Sequence, residues 1–135
     1  MALEDAIKAV QELVMEIPGI NAAPEYPPES VNIFPFAAGF AGSGAWEFGV
    51  AGEKKGMHNI RLQVFVSRKN LPTDIEAVTP FGELVSSKLM NNLTLHGYAS
   101  TFRRISYRFG PILWNDVDMV GWDFTVEDVK IRSDL

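Results

Sequence analysis

The sequence predicts one α+β domain over residues 1–135, built as a single antiparallel or mixed sheet of about four to five strands with two main helices on one face. Three observations carry that reading. Two stretches repeat apolar residues every three or four positions, several others alternate apolar with polar residues, and 135 residues leave room for one core but not two ordinary domains. The elements are expected in the order α-β-β-β-α-β-β.

Leu3, Ile7, Val10, Val14 and Ile17 fall at spacings of three and four, while Glu4, Asp5, Lys8, Gln11 and Glu12 fill the opposite side. This pattern predicts an amphipathic helix over about residues 2–16, closed by Pro18-Gly19. Asn21 to Pro28 holds three prolines and reads as an extended connector. Val31 to Phe36 reads as a short strand, confined by Pro35 to a sheet edge. The small residues from Ala37 to Gly44 read as a mobile loop carrying Phe40.

Trp46, Phe48 and Val50 alternate with Glu47, Gly49 and Ala51, and the alternation resumes at Ile60, Leu62, Val64 and Val66. Two such runs predict an antiparallel hairpin with Gly52-Glu53-Lys54-Lys55-Gly56 at its tip. The second run places Arg61, Gln63, Phe65 and Ser67 on its other, mixed face, so its apolar face calls for a covering helix layer. Thr73-Asp74-Ile75-Glu76 has the form of a capping box and predicts a helix start. Thr79-Pro80 then interrupts, and Phe81, Leu84, Val85 and Leu89 form the stripe of a second segment ending near Asn91-Asn92. After a turn at His96-Gly97, Arg104, Ser106 and Arg108 form one face of a strand that Gly110-Pro111 is expected to stop. Val120, Trp122, Phe124 and Val126 alternate, then shift phase to Val129 and Ile131, which predicts a β-bulge near Glu127-Asp128.

Composition narrows the function. The chain is 47% hydrophobic and 21% charged, values of a folding globular domain. It has no cysteine, which excludes disulfides, thiolate metal sites and thiol catalysis. A net charge of −5 argues against nonspecific binding to nucleic acid. The acidic opening Met-Ala-Leu-Glu-Asp lacks the basic start of a signal peptide, and no apolar run has the roughly 20 residues of a membrane span. The expectation is a soluble protein made in the cytoplasm, with no membrane partner.

Sites of chemistry are not evident. His58 and His96, the only histidines, lack metal-ligand spacing. Asp116-Val117-Asp118 lacks the further oxygen ligands of a calcium loop and reads as a turn. The glycines from Gly39 to Gly44 precede a strand, not the helix that a phosphate cradle requires, and Gly52 to Gly56 lacks Walker spacing. Ser43, Ser86 and Ser87 sit in no nucleophile elbow, and Asn92-Leu93-Thr94 is a glycosylation sequon without a secretory context. No catalytic, metal-binding or cofactor-binding residue is therefore assigned, and no enzyme activity is expected. Trp46, Trp122 and Phe124 read as core. Phe34, Phe36 and Phe40, beside a proline-bearing edge and a flexible loop, read as interface residues or core. Lys54 and Lys55 at the hairpin tip, and Arg104 and Arg108 on the basic strand, complete the interface candidates. Were His96, Tyr98, Arg104 and Arg108 to converge in a concave pocket, a ligand-binding domain or an enzyme would be the alternative.

The element order, with several local runs, resembles the tail terminator family of long-tailed bacteriophages and the related tail-to-head joining and minor tail proteins. The runs are Ile17-Pro18-Gly19-Ile20 closing the first helix, the proline-rich connector into Val31-Asn32-Ile33-Phe34-Pro35-Phe36, the strand from His58 to Ser67, the proline-interrupted central helix and the closing pair of strands. The resemblance implies a virion structural subunit, assembled in the host cytoplasm, that forms a homohexameric ring, caps the tail tube and joins it to the neck or head connector. DNA would pass through the lumen without specific binding. Another head-completion, neck or tail-tube subunit is the nearest alternative.

Overall fold

Residues 3–134 are described by a computed structural model of the chain. The first helix, α1, runs Leu3–Met15, close to the predicted span; Ala2 lies outside the described residues. Ala6, Ala9, Val10, Leu13 and Val14 are buried along it. So is Gln11, which the periodicity had placed on the solvent side. The reason is a close approach: α1 packs on a strand so tightly that a Cβ added to Gly39 would lie 3.1 Å from Gln11 Cγ. The Gln11 amide also donates to the carbonyl of Pro24, tying the helix to the connector behind it.

Four strands form the sheet: β1 (Phe36–Phe48), β2 (Glu53–Ser67), β3 (Arg104–Trp114) and β4 (Val117–Asp134). They lie in the order β1-β2-β4-β3, and every neighbouring pair is antiparallel. Three sequence expectations are corrected here. Ala37 to Gly44 is not a loop but most of β1, since its small residues let α1 and the neighbouring backbone approach where larger side chains would clash. Val31 to Pro35 is not a strand, and the first strand begins only at Phe36. Gly110-Pro111 does not stop β3, because β3 is an edge strand, where a missing N–H costs no ladder bond.

The hairpin between β1 and β2 is present, but the chain reverses at residues 49–52, so Lys54 and Lys55 belong to β2 and not to the tip. The β3–β4 connection is a two-residue turn in which Asn115 and Asp116 both have positive φ (48° and 65°), the geometry that suits the right-handed twist of a hairpin. Asp116 thus has the turn role that the sequence predicts.

One face of the sheet, here the front, carries the main core. Ile60, Leu62 and Val64 on β2, Phe124 and Val126 on β4 and Ala37 on β1 pack against α1 and against two further helices, α2 (Leu71–Val78) and α3 (Phe81–Met90). The break at Thr79-Pro80 is as predicted, and α3 ends at Asn91. The start of α2 differs: Asn70 is its N-cap residue, and the Asp74 carboxylate accepts from the backbone N–H groups of Lys69 and Asn70 at 2.7 and 2.8 Å. Asp74, not Thr73, closes that helix end. The Trp122 indole donates to Val78 O at 2.9 Å, and Gly82 leaves room for its ring.

The back face is apolar at one end. Phe36, Ala38, Phe65, Ile112 and Met119 form a second cluster, covered by Ala22, Val31 and Phe34. These covering residues belong to the connector, residues 21–35, which acts as a strap. Ala22 bridges Phe36, Asn21 N–H donates to Pro35 O at 3.0 Å, and the Trp114 indole donates to Pro28 O at 3.0 Å. The strap explains how a small domain covers aromatics for which the sequence offered no cover.

Candidate functional site

The sheet is divided by a crease. On β1, Gly42 and Ser43 stand opposite the single residue Asn59; on β4, Glu127 and Asp128 do the same. Two bulges therefore meet at one level across three strands, with Asp128 at φ 58°. The β4 bulge lies where the phase shift predicts it. The Asn59 amide donates to Ser43 Oγ at 2.9 Å, and its carbonyl accepts the Asp128 N–H at 3.2 Å, so one side chain holds all three strands. Bulges bend strands and increase their twist.

Beyond the crease β1 from Gly44 and β2 up to His58 form an arm beside β4 from Val129, whose Val129 and Ile131 stay buried in the main core. Among the described residues, the β1–β2 end of the arm is the part left open to solvent. Trp46 is 57% exposed and Phe48 86%, with Val50 at the reversal and Met57 on the back of the arm also exposed. Trp46 is therefore not core, which corrects the reading from alternation: alternation reports a strand, but burial requires a second layer, and Trp46 stays 57% exposed at the strand's outer end. Lys54 lies 5.7 Å from the centroid of the Trp46 ring. Lys55, Lys130 and Arg132 line a concavity on the arm's back with Glu47, Met57 and Ser100.

At the arm's base His58 is buried, with its ring 4.7 Å from that of Trp46 and its Nε2 without a hydrogen-bond partner. Burial pushes its pKa down. Gly44 and Gly56 flank the ring, and a Cβ on either would fall within 2.5 Å of an imidazole nitrogen. The ring is held by shape, between the two glycines and Trp46; no group of His, Cys, Asp and Glu suited to a metal occurs among the described residues.

A second surface lies at the opposite edge of the sheet. Between α3 and β3 runs a groove of about 780 Å³, floored by Ile105, Tyr107, Trp122 and Phe124 and walled by Leu84, Met90 and Glu83. Tyr107 and Leu84 are exposed in it. Its rear counterpart on the sheet is a polar row: Asp123, nearly buried, accepts from Arg61, and Arg108 approaches it at 3.9 Å.

The remaining candidates are dispersed. Phe36 is buried in the second cluster and is not an uncovered aromatic; Phe34 packs over it from the strap, and Phe40, half-buried, lies on the back face beside Arg61 and Trp114. Arg104 Nε sits 3.0 Å from Glu127, and that hydrogen bond holds the Glu127 carboxyl below its usual range while raising the arginine. His96 faces Glu12 at 3.9 Å on the α1 side, so His96, Tyr98, Arg104 and Arg108 do not converge. Compared with known proteins, the sequence matches no family model and no curated protein.

Proposed function

We propose that the protein is a ring-forming structural subunit of a phage virion, a tail terminator that caps the tail tube and joins it to the head connector. The observation that supports this most is the arm: the end of the β1–β2 hairpin, with Trp46 and Phe48 in solvent. Exposed aromatics grouped on one element are costly in a monomer and are the usual material of interface centres. The dispersal of His96, Arg104 and Arg108, each beside a carboxylate of its own, agrees with a structural role. So does the element order that carries the resemblance.

Light scattering over a concentration series, with negative-stain imaging alone and with purified tail tubes, tests the reading. A closed particle of six times the 15.0 kDa chain mass, or density capping tube ends, is expected. A monomer at every concentration that ignores tubes would overturn it.

A further inference from the structure

We infer that the ring contact is made by the arm of one copy lying in the α3–β3 groove of the next, an inference that rests on the ring reading and specifies its surfaces. Arm and groove sit at opposite edges of one four-stranded sheet, β1 and β3, so one copy offers each to a different neighbour. A contact between unlike patches is heterologous, and repeated head to tail it closes into a ring when the rotation per step divides the circle.

The two surfaces match in shape class and in charge. The arm presents aromatic side chains on a narrow hairpin; the groove is an open apolar trough whose volume of about 780 Å³ falls in the range that accepts a drug-sized group, and hence an aromatic hairpin tip. On the face of the arm that carries Trp46 and Phe48 the charged side chain is Lys54, 5.7 Å from the Trp46 ring centroid, while Lys55, Lys130 and Arg132 lie on the opposite face with Glu47. The α3 wall brings Glu83 to the groove, while Lys88 on the same helix is 3.1 Å from Glu16. Glu83 lines the groove and has no ion-pair partner among the described residues. Lys54 beside the aromatics and Glu83 in the trough pair opposite charges across the contact, and burial of the aromatics at its centre holds it.

The absence of cysteine makes the test clean. Phe48→Cys and Leu84→Cys, each at an exposed position, are prepared separately, mixed under assembling conditions with and without tail tubes, and oxidised mildly. Disulfide-linked pairs are expected in the mixture and not in either variant alone. Crosslinks within a single variant would overturn the inference by making the contact isologous. Particles of the expected mass whose thiols do not pair would overturn it and leave the ring reading standing, with the groove open to another occupant. A chain that stays monomeric with and without tubes would overturn both. As a second readout, Glu83→Lys is expected to raise the concentration needed for assembly about tenfold, and Lys54→Glu in the same chain to restore it in part; an unchanged Glu83→Lys variant counts against the groove.

Discussion

Single residues fix how closely the layers approach. Gly121 on β4 faces Phe65, and a Cβ there would lie 2.1 Å from Val64 O and 2.7 Å from Phe65 Cα. The obstacle is backbone, which cannot swing aside, so Gly121→Ala is expected to cost at least about 3 kcal/mol, measurable by urea unfolding. The acid response should have two sources. The pKa of His58 is lowered by burial, so the folded state holds the neutral ring; its contribution to stability is complete above the ordinary value of about 6.5 and falls as pH drops below it. Glu127, lowered by its bond to Arg104, contributes above the ordinary carboxylate range and loses that contribution as pH falls through its folded pKa. Unfolding curves between pH 7 and 5 should therefore flatten in His58→Leu relative to the parent chain, while Glu127→Gln should change only the more acidic limb. Neither His58's burial nor Gln11's was legible in the sequence, because each depends on a glycine of β1 brought close by the fold: Gly44 for His58, whose own strand adds Gly56, and Gly39 for Gln11.

At the scale of elements, periodicity located α1, the β2 core face, the broken central helix and the β4 bulge, since each is a local pattern with one dominant period. It failed where composition argued against structure. Ala37–Gly44 reads as a loop because small residues have weak strand propensity, yet tertiary packing demands small residues there. The start of α2 was misplaced for a similar reason, as Asp74 reaches back to two free donors and competes with the Thr73 capping box. Asp74→Ala is expected to lower stability by about 1 kcal/mol, readable as a shift in the urea midpoint. The arm obeys a different expectation. With Phe48 86% exposed, Phe48→Ser should leave the unfolding free energy within about 0.5 kcal/mol while abolishing particles in light scattering. A large loss of stability would instead make the arm part of the fold's own support. The β3 edge, interrupted by Pro111, is a poor template for continuous strand addition, which leaves side-chain docking in its groove as the route for a neighbour.

For the whole molecule, the strap makes the two faces interdependent. It leaves α1 on the front, bonds along the β1 edge and ends over the second cluster, so the front helix cannot lift away without disturbing the back. Unfolding should accordingly be one cooperative step, with tryptophan fluorescence and far-ultraviolet circular dichroism giving coincident transitions. The single-domain α+β class was legible from element order and length. The division into a packed body and an exposed β1–β2 end was not, because Trp46 and Phe48 alternate with polar residues just as the buried Ile60, Leu62 and Val64 do, and only the packing above them distinguishes the two runs.

The crease at Asn59 carries a further consequence. In a chain of copies joined arm to groove, each subunit is turned relative to the last by the angle between its arm and its body. That angle is set at the paired bulges, where Asn59 spans Ser43 and Asp128. The number of copies needed to come full circle is then a property of this bend, about 60° per step for six. A few residues at one crease, with no contact to any neighbour, would count the subunits, and through that count set the bore of the channel.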